Sequence, residues 1–77
     1  MAWQDHIEVD AGRLGGKPVV RGSRIPVEQV VEMVADGWSE ARIVAEYPTL
    51  TVDDVRACLR YAAAMLREER RFELPAA

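Results

Sequence analysis

Between Gly15 and Val27 the chain reads Gly-Gly-Lys-Pro-Val-Val-Arg-Gly-Ser-Arg-Ile-Pro-Val, and no other stretch limits the fold as much. Its glycines open the positive-φ conformations that tight turns use. Its prolines fix φ and remove backbone donors. No helix can run through such a segment, so the chain must divide there into a turn-rich part and a helical part. The same stretch is locally basic: Arg13, Lys17, Arg21 and Arg24 lie between Gly12 and Ile25 with no acid among them, although the chain carries a net charge of -3. A net acidic chain exerts no long-range pull on DNA, so any nucleic-acid contact must rest on a local patch.

With 77 residues, 49% hydrophobic and 30% charged, the composition is that of one small globular domain rather than a disordered chain. A domain of this size buries only roughly 60% of its unfolded surface, so partner surface is an expected contributor to its stability. The single cysteine, Cys58, permits no intramolecular disulfide, and the first residues lack the basic and apolar runs of a signal peptide. No apolar stretch approaches the ~18 residues of a membrane span. The expectation is a cytoplasmic protein.

Periodicity supplies the elements. Ile7-Glu8-Val9 alternates as a half-buried strand does, and Pro18-Val19-Val20 is a second β-prone run. Residues 6–20 therefore read as a small hairpin or a pair of edge strands. Pro26 suits the first turn of a helix, in which Val27, Val30, Val31 and Val34 recur on one face and which Gly37 closes. Ser39 caps a short second helix carrying Ile43 and Val44, stopped by Tyr47-Pro48. Thr51 caps a third, with the acid of Asp54 completing a capping box. Its apolar stripe is Val52, Val55, Leu59, Ala62 and Leu66, widened by Cys58, Tyr61 and Met65. The fold class is mainly α: a single domain over 1–77, with a short N-terminal β arm (6–25), a tri-helical bundle (26–66) and a C-terminal tail (67–77). The second and third helices have the lengths of a helix-turn-helix unit; a plain packed helical hairpin satisfies the same spacing.

Catalytic readings fail on residue supply. Gly12-x-x-x-Gly16-Lys17 has one residue too few for a phosphate loop and is followed by a proline. One histidine, His6, and one cysteine, Cys58, assemble neither a zinc site nor a Cys/His pair. Cys58 reads as core and His6 as a surface or strand residue. The expectation is no enzyme, no metal and no cofactor. For nucleic acid the candidates are Arg13, Lys17, Arg21 and Arg24 on the arm, with Arg56 and Arg60 on the third helix. Asp53 and Asp54 at the start of that helix would repel phosphate, which favours the arm. The alternative use for the arm's cations is pairing with Glu28, Glu32 or Asp36. For protein contact the candidates are Trp3, Trp38, Phe72 and Leu74; Trp38 reads better as a staple over its turn, and Phe72 and Leu74 as interface anchors.

The run Gly16-Lys17-Pro18-Val19-Val20-Arg21-Gly22-Ser23-Arg24-Ile25-Pro26-Val27 closely resembles the signature of the domain-of-unknown-function 433 family. The likeness continues through Ala35-Asp36-Gly37-Trp38-Ser39, Ile43, Tyr47-Pro48, Leu50-Thr51, Asp54-Val55 and Leu59 to Ala62. Ser23 stands where the family more often has threonine and keeps the hydroxyl. The resemblance implies a homeodomain-like helix-turn-helix fold and a VapB-like antitoxin role beside a PIN-like toxin nuclease, inhibited through the C-terminal segment. It implies promoter binding as a dimer, for which the expected contact is the N-terminal β arm. In such a complex Arg67, Arg70 or Arg71 would enter the nuclease's acidic site, with Phe72 and Leu74 packing beside it. Two other readings stay open: a DNA-binding regulator without a toxin, and a purely structural protein-interaction module.

Overall fold

The computed structural model describes residues 2–9, 12 and 14–68. After a 3-10 turn, Trp3–His6, strand β1 (Ile7–Val9) pairs antiparallel with β2 (Pro18–Val20), in the register Ile7↔Val20, Glu8↔Val19, Val9↔Pro18. Helices α1 (Val27–Ala35), α2 (Glu40–Glu46) and α3 (Val52–Glu68) follow. The architecture is thus mainly helical, three helices with a short N-terminal two-stranded hairpin.

The Arg21–Pro26 loop shows why the basic segment has its particular residues. Gly22 sits at φ 79°, where a side chain is strained. The chain then folds back onto Val20. The Val20 carbonyl accepts from the Ser23 N–H at 3.0 Å and from Ser23 Oγ at 2.8 Å, and the Val20 N–H donates to the Ile25 carbonyl at 3.0 Å. Ser23 Oγ in turn accepts from the Ile25 N–H at 3.0 Å. One hydroxyl therefore closes the loop from both sides, and either serine or threonine can supply it. Pro26, extended at φ -64° and ψ 144°, bridges back to Val19 and stands one residue before α1, rather than inside its first turn.

The end of α1 and the start of α2 are closed as their residues dictate. At the end of α1 the Gly37 N–H donates to Val34 and the Trp38 N–H to Met33, both at 3.0 Å, with Gly37 at φ 93°; this is the paired closure of a Schellman turn. Ser39 Oγ accepts from the Arg42 N–H at 3.1 Å, and the Arg42 guanidinium lies 3.7 Å from the centre of the Trp38 ring. Trp38 is packed partly against the core and staples its turn. Gln29 of α1 donates to the Tyr47 hydroxyl at 3.1 Å, tying α1 to the end of α2.

The core gathers Ile7, Val20, Val27, Val30, Met33, Ile43, Leu50, Val55, Ala57 and Cys58. Two expectations shift. On α1, Met33 is buried whereas Val31 and Val34 are only half-buried. On α3 the buried face centres on Val55, Ala57 and Cys58, and Leu66 is 63% exposed. On α3 the shift goes with the N-terminal 3-10 turn, which packs against that helix more extensively than any other element does and covers a side that periodicity alone leaves to solvent. Farther on, the end of the apolar stripe is left largely open, with Met65 at 44% and Leu66 at 63% exposure. Val9, expected on the same buried face as Ile7, is 60% exposed at the end of its strand.

Replacing Ser23 by alanine leaves the Ile25 N–H unpaired and removes one bond to Val20. We expect Ser23→Ala to cost about 1–2 kcal/mol and Ser23→Thr to restore nearly all of it, measured by urea unfolding. Equal stability of the alanine and threonine variants would contradict this account of the loop.

Candidate nucleic-acid interface

The residues singled out by sequence divide between holding the fold and facing solvent, and Asp54 explains most of that division. Its Oδ2 accepts the Thr51 N–H at 2.9 Å while its own N–H donates to Thr51 Oγ1 at 3.1 Å, the reciprocal pair of a capping box. Its other oxygen, Oδ1, accepts from His6 Nδ1 at 2.7 Å, in the tautomer that carries the proton there. The two side chains are only 28% and 13% exposed. His6 is therefore not a free surface residue; it ends the 3-10 turn and clasps it to the start of α3. Beside it Trp3 meets Tyr61 edge-to-face, with centroids 5.9 Å apart, a favourable arrangement of ring quadrupoles. Trp3 thus anchors the N-terminal turn on α3 within the same chain.

A histidine held by a carboxylate is also half of a general-base arrangement, so the neighbouring thiol matters. Cys58, one turn after Asp54, is fully buried. Burial, with the Asp54 charge adding to it, pushes its thiol up to about 12, the reverse of an activated nucleophile.

The described cations of the arm do not form one patch. Lys17 precedes β2 and pairs with Glu28 at 2.6 Å, one of the acids expected to take such a role. Arg21 follows β2 at the opposite end; its Nε donates to the Asp5 carbonyl at 2.7 Å and its N–H to the His6 carbonyl at 2.7 Å. Arg24 is exposed, with no side-chain partner among the described residues. Arg13 lies outside the described residues, as do Arg70, Arg71, Phe72 and Leu74.

On α3 the cations do line up. At about 100° per residue, Arg56, Arg60 and Arg67 fall within about 40° of one another around the helix, and all three are exposed. Arg67 was legible only as part of the tail, yet it continues this stripe. Arg56 is held by Glu40 of α2 in a two-pronged contact, Nε to Oε2 at 2.8 Å and Nη2 to Oε1 at 3.1 Å. That pairing holds the Glu40 carboxyl below its ordinary range and raises the guanidinium of Arg56. Asp53 stays exposed at the start of the helix, whereas Asp54 is turned inward. Of the two acids expected to repel phosphate, one is engaged by the fold. Chemically, the face can hold two or three anionic oxygens at one-turn and two-turn spacing.

Sequence reasoning missed the His6–Asp54 clasp. Nothing in local spacing links residues 48 positions apart; the one available signal was that this chain has a single histidine in a segment with little core of its own. We expect Asp54→Ala to cost more than His6→Ala, about 2–3 kcal/mol against about 1 kcal/mol, because it removes the cap as well as the clasp. Equal losses in urea unfolding would show that the cap contributes nothing.

Residues 7–62 match the family described as "Protein of unknown function (DUF433)". The chain is 46% identical over 59 residues to "Uncharacterized protein y4eO" of Sinorhizobium fredii (strain NBRC 101917 / NGR234), a match covering 75% of this chain and 27% of that protein. Its fold is similar to the crystal structure of a DUF433 member protein from Anabaena variabilis, with a TM-score of 0.76 and 31% identity, covering 84% of this chain and 64% of the other. The chain thus spans about a quarter of the curated relative it matches and under two thirds of the solved one. Among the described residues, no helix is long and apolar enough to cross a membrane.

Proposed function

The chain belongs to the DUF433 family, and from that premise we propose that it is a non-enzymatic, antitoxin-like regulator. In this reading α2 and α3 form a helix-turn-helix that contacts operator DNA. The segment from Arg67 through Arg70, Arg71, Phe72 and Leu74 engages and inhibits a PIN-like toxin nuclease. The observation that carries the DNA half is the exposed stripe Arg56, Arg60, Arg67 along α3. Lys17, Arg21 and Arg56 all have partners within the chain, so among the described candidates Arg60 and Arg67 on α3 and Arg24 on the arm are the cations without one. Because Asp53 still stands at the start of the helix, contact falls on the phosphate backbone from the middle of α3 rather than on base edges from its first turn. A non-catalytic role is supported by a sealed, protonated Cys58 and by a His6 that already serves Asp54.

The test is a titration of the chain's own upstream DNA at several salt concentrations. Arg56→Ala and Arg60→Ala should each weaken binding and lower the salt slope by about one, whereas Arg21→Ala should act mainly on stability. Unchanged binding by both α3 variants would refute the DNA half. For the toxin half, removal of residues 67–77 should abolish neutralisation of a PIN-like nuclease encoded beside this chain, with the fold intact, since among the described residues every buried core residue precedes Leu59. Full neutralisation by the shortened chain would refute it and leave the DNA-binding regulator standing alone.

A further inference from the structure

A groove of about 510 Å³ runs between α1 and the second half of α3. One wall is Val31 and Ala35 of α1, the other Tyr61 and Ala62 of α3, with Val27 at its base. Met65 and Leu66 form its lip and are 44% and 63% exposed, two of the three large apolar side chains left open among the described residues. The α1 rim is acidic. Glu28 is neutralised by Lys17, but Glu32, one turn on, is exposed and has no cation against it among the described residues.

From this we infer that the groove is a self-association surface, occupied by the α3 end of a second copy of this chain. Shape and charge are complementary within one molecule. At the outer lip of its own groove, the last turn of α3 offers an apolar knob, Leu66, beside an exposed cation, Arg67. The groove offers an apolar trough beside an unpaired carboxylate, Glu32. Neighbouring helix residues diverge by about 100°. With Leu66 directed into the partner's trough, Arg67 turns to the partner's Glu32 on one wall, and Met65 turns to the apolar rings and methyls of the other. Each copy supplies both a knob and a trough, so the contact closes about a twofold axis and goes no further. It also covers the apolar lip that the single chain leaves in water. It concerns which face joins the copies: it draws Arg67 away from the stripe and tail of the regulatory reading above, and leaves Arg56 and Arg60 outside the contact. It differs from a dimer made through the β arm, whose exposed apolar residue is Val9.

The experiment is sedimentation equilibrium of the full chain over a wide concentration range, with variants at surface positions that do not enter the core. Wild type should be a dimer, and Leu66→Asp should weaken it at least tenfold without changing the circular-dichroism spectrum. Val9→Asp should leave association unchanged. Glu32→Arg and Arg67→Glu should each weaken the dimer, and the two together should recover it. A monomer at all concentrations would overturn the proposal. So would loss of association in Val9→Asp but not in Leu66→Asp, which would assign the dimer to the arm. A charge-reversed pair no better than its singles would also overturn it.

Discussion

One carboxylate, that of Asp54, holds the two halves of this chain together. With one oxygen it satisfies the exposed amide of Thr51 at the start of α3; with the other it binds the imidazole of His6, at the end of the N-terminal turn. Helix nucleation is locally costly and hairpins of two short strands are marginal on their own. A side chain that closes a helix end and anchors the hairpin in one step couples two elements that are each weak alone. Trp3 against Tyr61 extends the same contact along α3, and Cys58 is sealed beneath it.

That coupling changes the meaning of the glycine- and proline-rich segment. Its charge suggests a surface built for phosphate, yet most of its residues serve the route from hairpin to helix. Ser23 closes the loop, Gly22 supplies its turn, Arg21 reaches back to Asp5, and Lys17 pairs across to α1. Among the described candidates, the cations without a partner in the chain are Arg60 and Arg67 on α3 and Arg24 on the arm. Local charge density points to the arm, whereas the partners taken by Lys17 and Arg21 move the proposed contact toward α3.

The local devices were legible because they act within a few residues. Ser39, Thr51 with Asp54, and Gly37 all cap their helices as their spacing requires, and the two β-prone runs pair as a hairpin. What was not legible acts over long separations. His6 with Asp54 and Trp3 with Tyr61 bring the first residues onto α3, which moves its buried face toward Ala57 and Cys58 and leaves Leu66 outside. Helical periodicity reports which side of a helix is apolar; it cannot report a neighbour arriving from fifty residues away. The candidate site shared this fate. Arg56 and Arg60 could be placed together by their spacing, whereas the partners of Lys17 and Arg21, and the inward turn of Asp54, required the tertiary fold.

Native-state hydrogen exchange tests the coupling most directly. The amides of Val20 and Arg21 in the arm donate to Ile25 and His6, and that of Val55 in α3 donates to Thr51. If Asp54 joins arm and helix into one cooperative unit, these amides open with the same free energy, within about 1 kcal/mol. Arm amides that exchange rapidly while Val55 stays fully protected would show two independent parts and contradict the account.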